Sequence, residues 1–313
     1  MNLIQRGWLV QKMTRMRAKF YYRLYFPAPR GGKHINENLR AIDEVILQTR
    51  PIDIPKLFDG IPLDVFGRLY LDKQIKYPNL SAFMPPMPPD ADQDLWTGNH
   101  GIILLIQSMA FIESMLSGYR IFTARDIRDA HVLDFGCGWG RLIRLLYKYV
   151  SSEQIYGVDS WDKSIENCKK YNVKANFAIS EYVPSGLPFD RKFDLIFAFS
   201  VFTHLSEKTF EASLLTLRKH ISDNGLLVIT IRPKNYWLFH ERGRLTEKML
   251  PLHEKMGFAF TPHNAPAING EITFGDTSVS KDYIQDKFPQ WKIVGSTVNL
   301  EDPFQTLLFL QPA

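Results

Sequence analysis

The sequence predicts an α/β protein built on a mostly parallel sheet flanked by helices, with a helical extension at its N-terminus. Three observations lead there. From residue 131 onward, short β-prone apolar runs alternate with stretches of helical periodicity, the pattern of a parallel sheet. The first such run enters a helix through a glycine-rich turn, His131 to Val150, HVLDFGCGWGRLIRLLYKYV. The chain of 313 residues has room for one large domain and an arm.

The elements follow in order. Residues 3–26 place Leu9, Met13, Met16, Phe20 and Leu24 on one helical stripe flanked by basic residues. Residues 1–36 hold eight lysines and arginines and no acid, so the net charge of +5 belongs to this arm and the rest of the chain is mildly acidic. Such an arm suits either a peripheral contact with an anionic membrane surface through residues 1–26 or packing on the body. Pro27-Ala28-Pro29-Arg30-Gly31-Gly32 breaks it, residues 36–76 read as short mixed helices, and Met84 to Asp90 is too rich in proline for regular structure. Trp96 to Asn99 suits a cap over a ligand or plain packing. The apolar helix Ile102 to Leu116 is too short and too interrupted to cross a bilayer, and no uninterrupted apolar run exceeds five residues.

The body begins with the strand His131 to Phe135. From Arg141, Leu142, Leu145, Leu146 and Val150 recur at helical spacing, with Arg141, Arg144 and Lys148 on other faces. Gln154 to Asp159 is a second strand, followed by a helix with Ile165 and Cys168 inward. Strands follow near Ala175 to Ile179 and at Phe193 to Phe199. Ser206 caps a helix that turns Phe210, Leu214 and Leu217 to the core. Asp223-Asn224-Gly225 leads into a fifth strand, Leu226 to Ile231. Residues 234–278 exceed a simple connection. Lys281 to Phe288 reads as helix, and Trp291 to Val298 and Thr306 to Leu310 as a closing pair of strands.

The glycine turn carries the chemistry. A strand-to-helix turn aims free helix N–H groups at a ligand, and glycine lets that ligand approach. Gly136-Cys137-Gly138-Trp139-Gly140 is G-x-G-x-G rather than the G-x-G-x-x-G of a pyrophosphate turn. Asp134, which ends the strand, would repel a pyrophosphate. It would attract a ligand with an ammonium and a sulfonium, which S-adenosylmethionine has. Asp159 lies 19 residues past Gly140 and is placed to accept both hydroxyls of a ribose.

V-L-D-F-G-C-G-W-G-R at 132–141, Y-G-V-D at 156–159, F-D-L-I-F-A-F-S-V-F-T-H-L at 193–205 and G-L-L-V-I-T at 225–230 stand in one order and spacing. In these blocks the chain resembles the class I S-adenosylmethionine-dependent methyltransferases. The resemblance implies a Rossmann-like sheet with an antiparallel C-terminal edge. It implies a cofactor site formed by Asp134, Phe135, Gly136, Cys137, Gly138, Gly140, Arg141, Asp159, Ser160, Trp161, Phe199 and Ser200. Asp134 and the glycines would surround the methionine end, Asp159 the ribose, Ser160 and Trp161 the adenine, and Phe199 and Ser200 the methyl side. Arg141 would meet the methionine carboxylate or lie on the helix surface. The domains implied are a basic, helical and proline-rich extension at 1–118 and the cofactor-binding domain at 119–313, with a substrate-side insertion near 234–278.

The segment after strand four faces the methyl group in this family and sets the acceptor class. Phe199-Ser200-Val201-Phe202-Thr203-His204 lacks the Asp/Asn-Pro-Pro-aromatic motif of amino-directed DNA enzymes, and neither cysteine follows a proline as in cytosine-C5 enzymes. No acid stands there to hold magnesium. A metal-free transfer to a hydroxyl or amine of a small molecule, sugar or glycan is expected, with no DNA partner. His204 is the candidate base, or else it serves the start of the Ser206 helix. His240, His253, His263 and Asp276 are weaker candidates in the insertion. Alternatives are a protein or RNA methyltransferase docking through the basic arm, and a non-catalytic cofactor-binding scaffold subunit. Two cysteines, Cys137 and Cys168, give no disulfide framework and no metal quartet. A cytoplasmic setting, or a peripheral one at the inner membrane surface, is expected.

Overall fold

The computed structural model describes residues 32–71, 76–263, 267–299 and 301–313. The arm at 1–31, with its apolar stripe, lies outside the described residues.

Seven strands form the main sheet: β1 Val132–Phe135, β2 Ile155–Asp159, β3 Asn176–Ile179, β4 Phe193–Ala198, β5 Ile221–Ile231, and, past a separate hairpin of β6 Phe258–Pro262 and β7 Gly275–Val279, β8 Trp291–Asn299 and β9 Asp302–Pro312. Their order is β3-β2-β1-β4-β5-β9-β8. The first five run parallel; β9 is antiparallel to β5, and β8 to β9. This is the Rossmann-like sheet with an antiparallel edge that the motifs imply. All four residues of β1 are buried, as a central parallel strand covered on both faces requires. Register places Asp134 opposite Gly157 and Phe135 opposite Val158, so Asp134 and Asp159 come to adjacent strand ends.

The core has two layers. Val132, Leu195, Phe197, Val228 and Leu307 face one, and Leu133, Ile196, Leu227, Ile229 and Leu308 face the other, following the period of two along each strand. On the second face lies the helix Glu207–His220. Ser206 caps it by accepting the Thr209 N–H, and Arg218, Lys219 and His220 close its negative end. Phe210, Leu214 and Leu217 are buried, as their spacing predicts.

On the first face lies the helix Gly101–Thr123. It runs 23 residues, well beyond the expected Ile102 to Leu116, and by length and composition alone it is long and apolar enough to cross a membrane. Here it packs on the sheet. Phe111 meets Phe197 and Phe199, and Gly118 lies so close to Phe309 that a Cβ would stand 2.2 Å from the ring. The stretch Met84 to Pro89 is irregular, as expected, and leads into the helix Asp90–Thr97.

The helix after the glycine turn also departs from the sequence reading. It is short, Arg141–Leu146, and Arg144 is not on an outer face: it is 1% exposed. The segment 234–278, expected as an insertion longer than a simple connection, has secondary structure of its own. It contains the helices Tyr236–Phe239 and Thr246–Met256 and the hairpin β6–β7. The hairpin docks on the main sheet through its backbone: Gly275 N–H donates to His204 O, Thr277 N–H to Thr203 O, and Val279 N–H to Arg232 O.

Candidate active site

Two neighbouring regions at the C-terminal edge of the parallel strands make the site. The first is the glycine turn. Gly136, Gly138 and Gly140 have φ of 80°, 53° and 75°, the left-handed region that only glycine enters without strain. The turn is tied to β2: Gly136 and Cys137 N–H donate to Val158 O, and Gly138 N–H donates to Asp159 Oδ2 at 2.8 Å. Asp159 Oδ1 accepts the Trp161 N–H at 2.9 Å. The carboxylate that ends β2 therefore holds the turn in shape.

Asp134 is 2% exposed. Burial pushes its carboxyl well above the ordinary carboxylate range; Arg141 opposes the shift and Asp159 adds to it. A buried carboxyl with a half-buried one on the adjacent strand end favours a cationic ligand, since its charge would stabilise both ionised forms. That donor chemistry fits the ammonium and sulfonium of S-adenosylmethionine.

The other sequence candidates divide. Arg141 is half-buried; it lies over the Phe199 ring at 5.0 Å and donates to Ser108 Oγ at 3.1 Å, inside the site rather than on a helix surface. Burial lowers its pKa to about 10, opposed by Asp134 and Asp302, so it stays cationic at neutral pH. Trp161 stacks with Trp96, ring centroids 4.8 Å apart, and Trp96 Nε1 donates to Ser164 Oγ. Trp96 Cδ1 also stands 3.4 Å from the place a Cβ on Gly138 would take. The Trp96 to Asn99 segment thus lies over the turn. Ser160, half-buried, follows directly on Asp159. The structure does not bring Phe135 and Phe199 to the cradle as open surfaces. Phe135 is buried against Phe202, and Phe199 is buried between Phe111 and Arg141. Cys137 is buried beneath the turn, its Sγ turned toward the Gly138 carbonyl. Sequence spacing locates these residues but not which side of the chain they face.

Arg144 was missed as a site residue. Its guanidinium donates to the carbonyls of Trp139, Gly140 and Pro86 at 2.6, 3.0 and 3.0 Å, clamping the turn to the proline-rich stretch. A buried arginine looks the same as a surface one in the sequence.

The second region is a polar cluster joined to the first by residues 199–204. Val201 presses on Gly136, where a Cβ would meet it at 2.4 Å. Ser200 takes φ 60°; its N–H donates to Thr230 Oγ1 and its Oγ accepts from Gln305 Nε2. Three residues on from Val201, His204 enters a cluster centred on Asp276, which is 5% exposed. Arg232 donates to Asp276 Oδ1 at 2.5 Å and to Thr203 O at 2.7 Å. His263 Nε2 donates to Asp276 Oδ2 at 2.7 Å, and His240 Nε2 lies 3.5 Å from the same oxygen. Burial alone would raise Asp276, but the hydrogen bond from His263 and the charge of Arg232 overcome it and hold the carboxyl below its ordinary range.

His204 is not the free base its position suggested. Its Nδ1 faces the Gly275 carbonyl at 2.7 Å, which can only accept, so that nitrogen carries the proton. The lone pair on Nε2 then accepts from Arg232 Nη2 at 3.1 Å. Burial first and the guanidinium second lower its pKa to about 4. His204, His263 and Asp276 bring donor atoms within 4.8 Å of one another, a spacing that suits a cation. The cation already in contact with Asp276 and His204 is the guanidinium of Arg232.

A glycine cradle between β1 and a helix, an acid next to the end of β1 and another ending β2, and the 3-2-1-4-5 parallel order with an antiparallel edge are the features that the resemblance to S-adenosylmethionine-dependent methyltransferases implies. Residues 132–225 match the family model described as a methyltransferase domain. Over residues 132–225 the chain is similar to methyltransferase domains, and the buried acid beside the glycine turn suits the cationic end of S-adenosylmethionine. Similar solved structures include an S-adenosylmethionine-dependent methyltransferase from Clostridium acetobutylicum, with 14% identity, 71% of this chain and 96% of that one covered, and TM-score 0.46. Another is a magnesium protoporphyrin IX methyltransferase from Synechocystis, with 13% identity, 71% and 94% covered, and TM-score 0.48. A glycopeptide N-methyltransferase has 10% identity, 63% and 92% covered, and TM-score 0.44. Likeness at that level leaves residue roles to this chain's own geometry.

Replacing Asp159 by alanine is expected to weaken S-adenosylhomocysteine binding at least tenfold by calorimetry. A hydrogen bond to a charged group is worth about 1.5–3 kcal/mol, one to two decades of affinity. The same change also frees the Gly138 and Trp161 N–H groups. Affinity within twofold of wild type would remove Asp159 from the site.

Proposed function

We propose that the protein transfers a methyl group from S-adenosylmethionine to a hydroxyl of a small molecule or sugar, without a metal ion. The carrying observation is the loop 199–204, which rests Val201 on the cofactor cradle and places Thr203 and His204 in the Asp276 cluster. The cofactor supplies an electrophilic methyl on a good leaving group. The protein has then to position the acceptor and take its proton. Aromatic surface beside the cluster supports a compact hydroxylated acceptor. Phe274 stacks on His204 and is 46% exposed, while Phe239, 67% exposed, packs on Phe304. Such ring faces suit the C–H face of a sugar or a flat acceptor, with the polar cluster left for its hydroxyl. The positive charge that a metal would bring is already supplied by Arg232.

Incubation with methyl-labelled S-adenosylmethionine and a metabolite extract, with and without EDTA, tests the reading. Label is expected in stable methyl ethers, at a rate unchanged by EDTA. Label that appears in protein or RNA, or transfer lost on chelation and restored by magnesium, would overturn it.

A further inference from the structure

Three imidazoles surround the single carboxylate of Asp276, and two of them have no lone pair to offer. His204 gives its Nε2 lone pair to Arg232. His240 Nδ1 lies 2.6 Å from the Tyr236 hydroxyl, and with Nε2 turned to Asp276 its Nδ1 accepts that O–H. His263 differs. Its Nε2–H donates to Asp276 Oδ2, so in the neutral ring the lone pair is on Nδ1. Among the described residues no hydrogen-bond partner meets that nitrogen, and the side chain is 42% exposed.

We propose that His263 Nδ1 is the proton acceptor for methyl transfer, with Asp276 as its positioning residue. This rests on the reading that the acceptor group is a hydroxyl. The hydroxyl oxygen forms its bond to the methyl carbon as the carbon–sulfur bond breaks, and that electron pair stays on sulfur as a neutral thioether. The O–H bond breaks and its proton goes to Nδ1. The positive charge of the sulfonium is thereby replaced by that of an imidazolium, which the Asp276 carboxylate stabilises through Nε2–H. The exposed edge of the ring then returns the proton to water.

The surroundings of His263 agree with this role. The Phe274 ring lies against it edge-on at 5.2 Å, and His204, neutral at physiological pH, is 6.1 Å away. Across Asp276 stand Arg232 and His240. Arg232 is matched by Asp276 in an ion pair. Arg232 also fixes the carboxylate that orients the ring, acting as a buried clamp.

The experiment uses the full chain, methyl-labelled S-adenosylmethionine and a metabolite extract of hydroxylated compounds. Wild-type transfer is expected to rise with pH through an imidazole ionisation. His263→Ala and His263→Gln should each lower transfer by about 10²-fold or more, the range of general-base catalysis, and abolish that pH dependence. Their affinity for S-adenosylhomocysteine by calorimetry should be unchanged, which also shows that they fold. Independently of turnover, nitrogen-15 spectra of the wild type should show His263 as the Nε2–H tautomer, and Asp276→Asn should mix the two tautomers. Transfer that survives both His263 substitutions, or a ring protonated on Nδ1, would overturn the assignment alone. A wild type that labels no hydroxyl would overturn the acceptor reading and this assignment with it.

Discussion

Gly138→Val is expected to abolish measurable binding of S-adenosylmethionine and S-adenosylhomocysteine while leaving the protein folded. Position 138 has φ 53°, where a β-branched residue is a severe outlier. Its Cβ would point to the ligand side, 3.4 Å from Trp96, and the two methyl groups beyond it would fill the space between the turn and that indole. The strain costs about 1–3 kcal/mol, a cost the described core of two packed layers can bear. The cofactor loses more, since both the approach to the turn and the Gly138 N–H bond that holds Asp159 are disturbed. Calorimetry should show at least about a hundredfold loss, equal to some 2.7 kcal/mol, and the thermal shift on adding S-adenosylhomocysteine should vanish. Gly186→Ala, where a Cβ meets nothing within 4 Å, serves as the control. A valine variant that binds normally would mean the cofactor lies elsewhere.

The sequence made the cofactor half of the site legible because that half is local. A strand, three glycines and a helix lie within a few residues of each other, and both acids end strands that can be read from their apolar runs. Glycine spacing says directly where the backbone must turn. The acceptor half is assembled from five separate segments: His204 after β4, Arg232 after β5, His240 in the connection beyond it, His263 after β6 and Asp276 on β7. None carries a spacing signal toward the others, and only the docking of the β6–β7 hairpin on residues 203–205 brings them together. A single histidine after β4 therefore stood out in the sequence, and the arginine that occupies its lone pair did not. Arg144 escaped for a related reason. Helical periodicity sorts residues by polarity, and a cation buried to satisfy three carbonyls breaks that rule. The fifth strand was read too short because Asp223-Asn224-Gly225 has the composition of a turn. In the structure β5 continues through it, and its register with β4 shifts between Phe193 and Leu195.

Arg232→Ala is expected to destabilise the protein by about 3–5 kcal/mol, the usual cost of removing one partner from a buried ion pair. The guanidinium is 10% exposed in its side chain and the Asp276 carboxylate 7%. Without it, Asp276 keeps only imidazole partners, and the Thr203 carbonyl and His204 Nε2 each lose a donor. Arg232→Lys should recover only part of the loss, because one ammonium cannot reach three acceptors as a planar fork does. The variant should also change how stability depends on pH. His204 has its folded pKa lowered from 6.5 to about 4, by burial first and by Arg232 second. Between those values the unfolded chain binds more protons than the folded one, so stability is complete above about pH 6.5 and falls as the pH drops toward 4. The fall is roughly 3 kcal/mol for a shift of that size. Asp276, lowered as well, adds its own loss only below the ordinary carboxylate range, in a separate window. Removing the guanidinium takes away the second cause of the His204 shift, so the slope between pH 6.5 and 4 should flatten in the variant. Comparing denaturant midpoints of the two proteins across that window measures the change in slope that the guanidinium causes. A variant with wild-type stability at neutral pH, or with an unchanged acid slope, would mean that the guanidinium does not hold His204 neutral, and the case for His263 as the open imidazole would lose its first step.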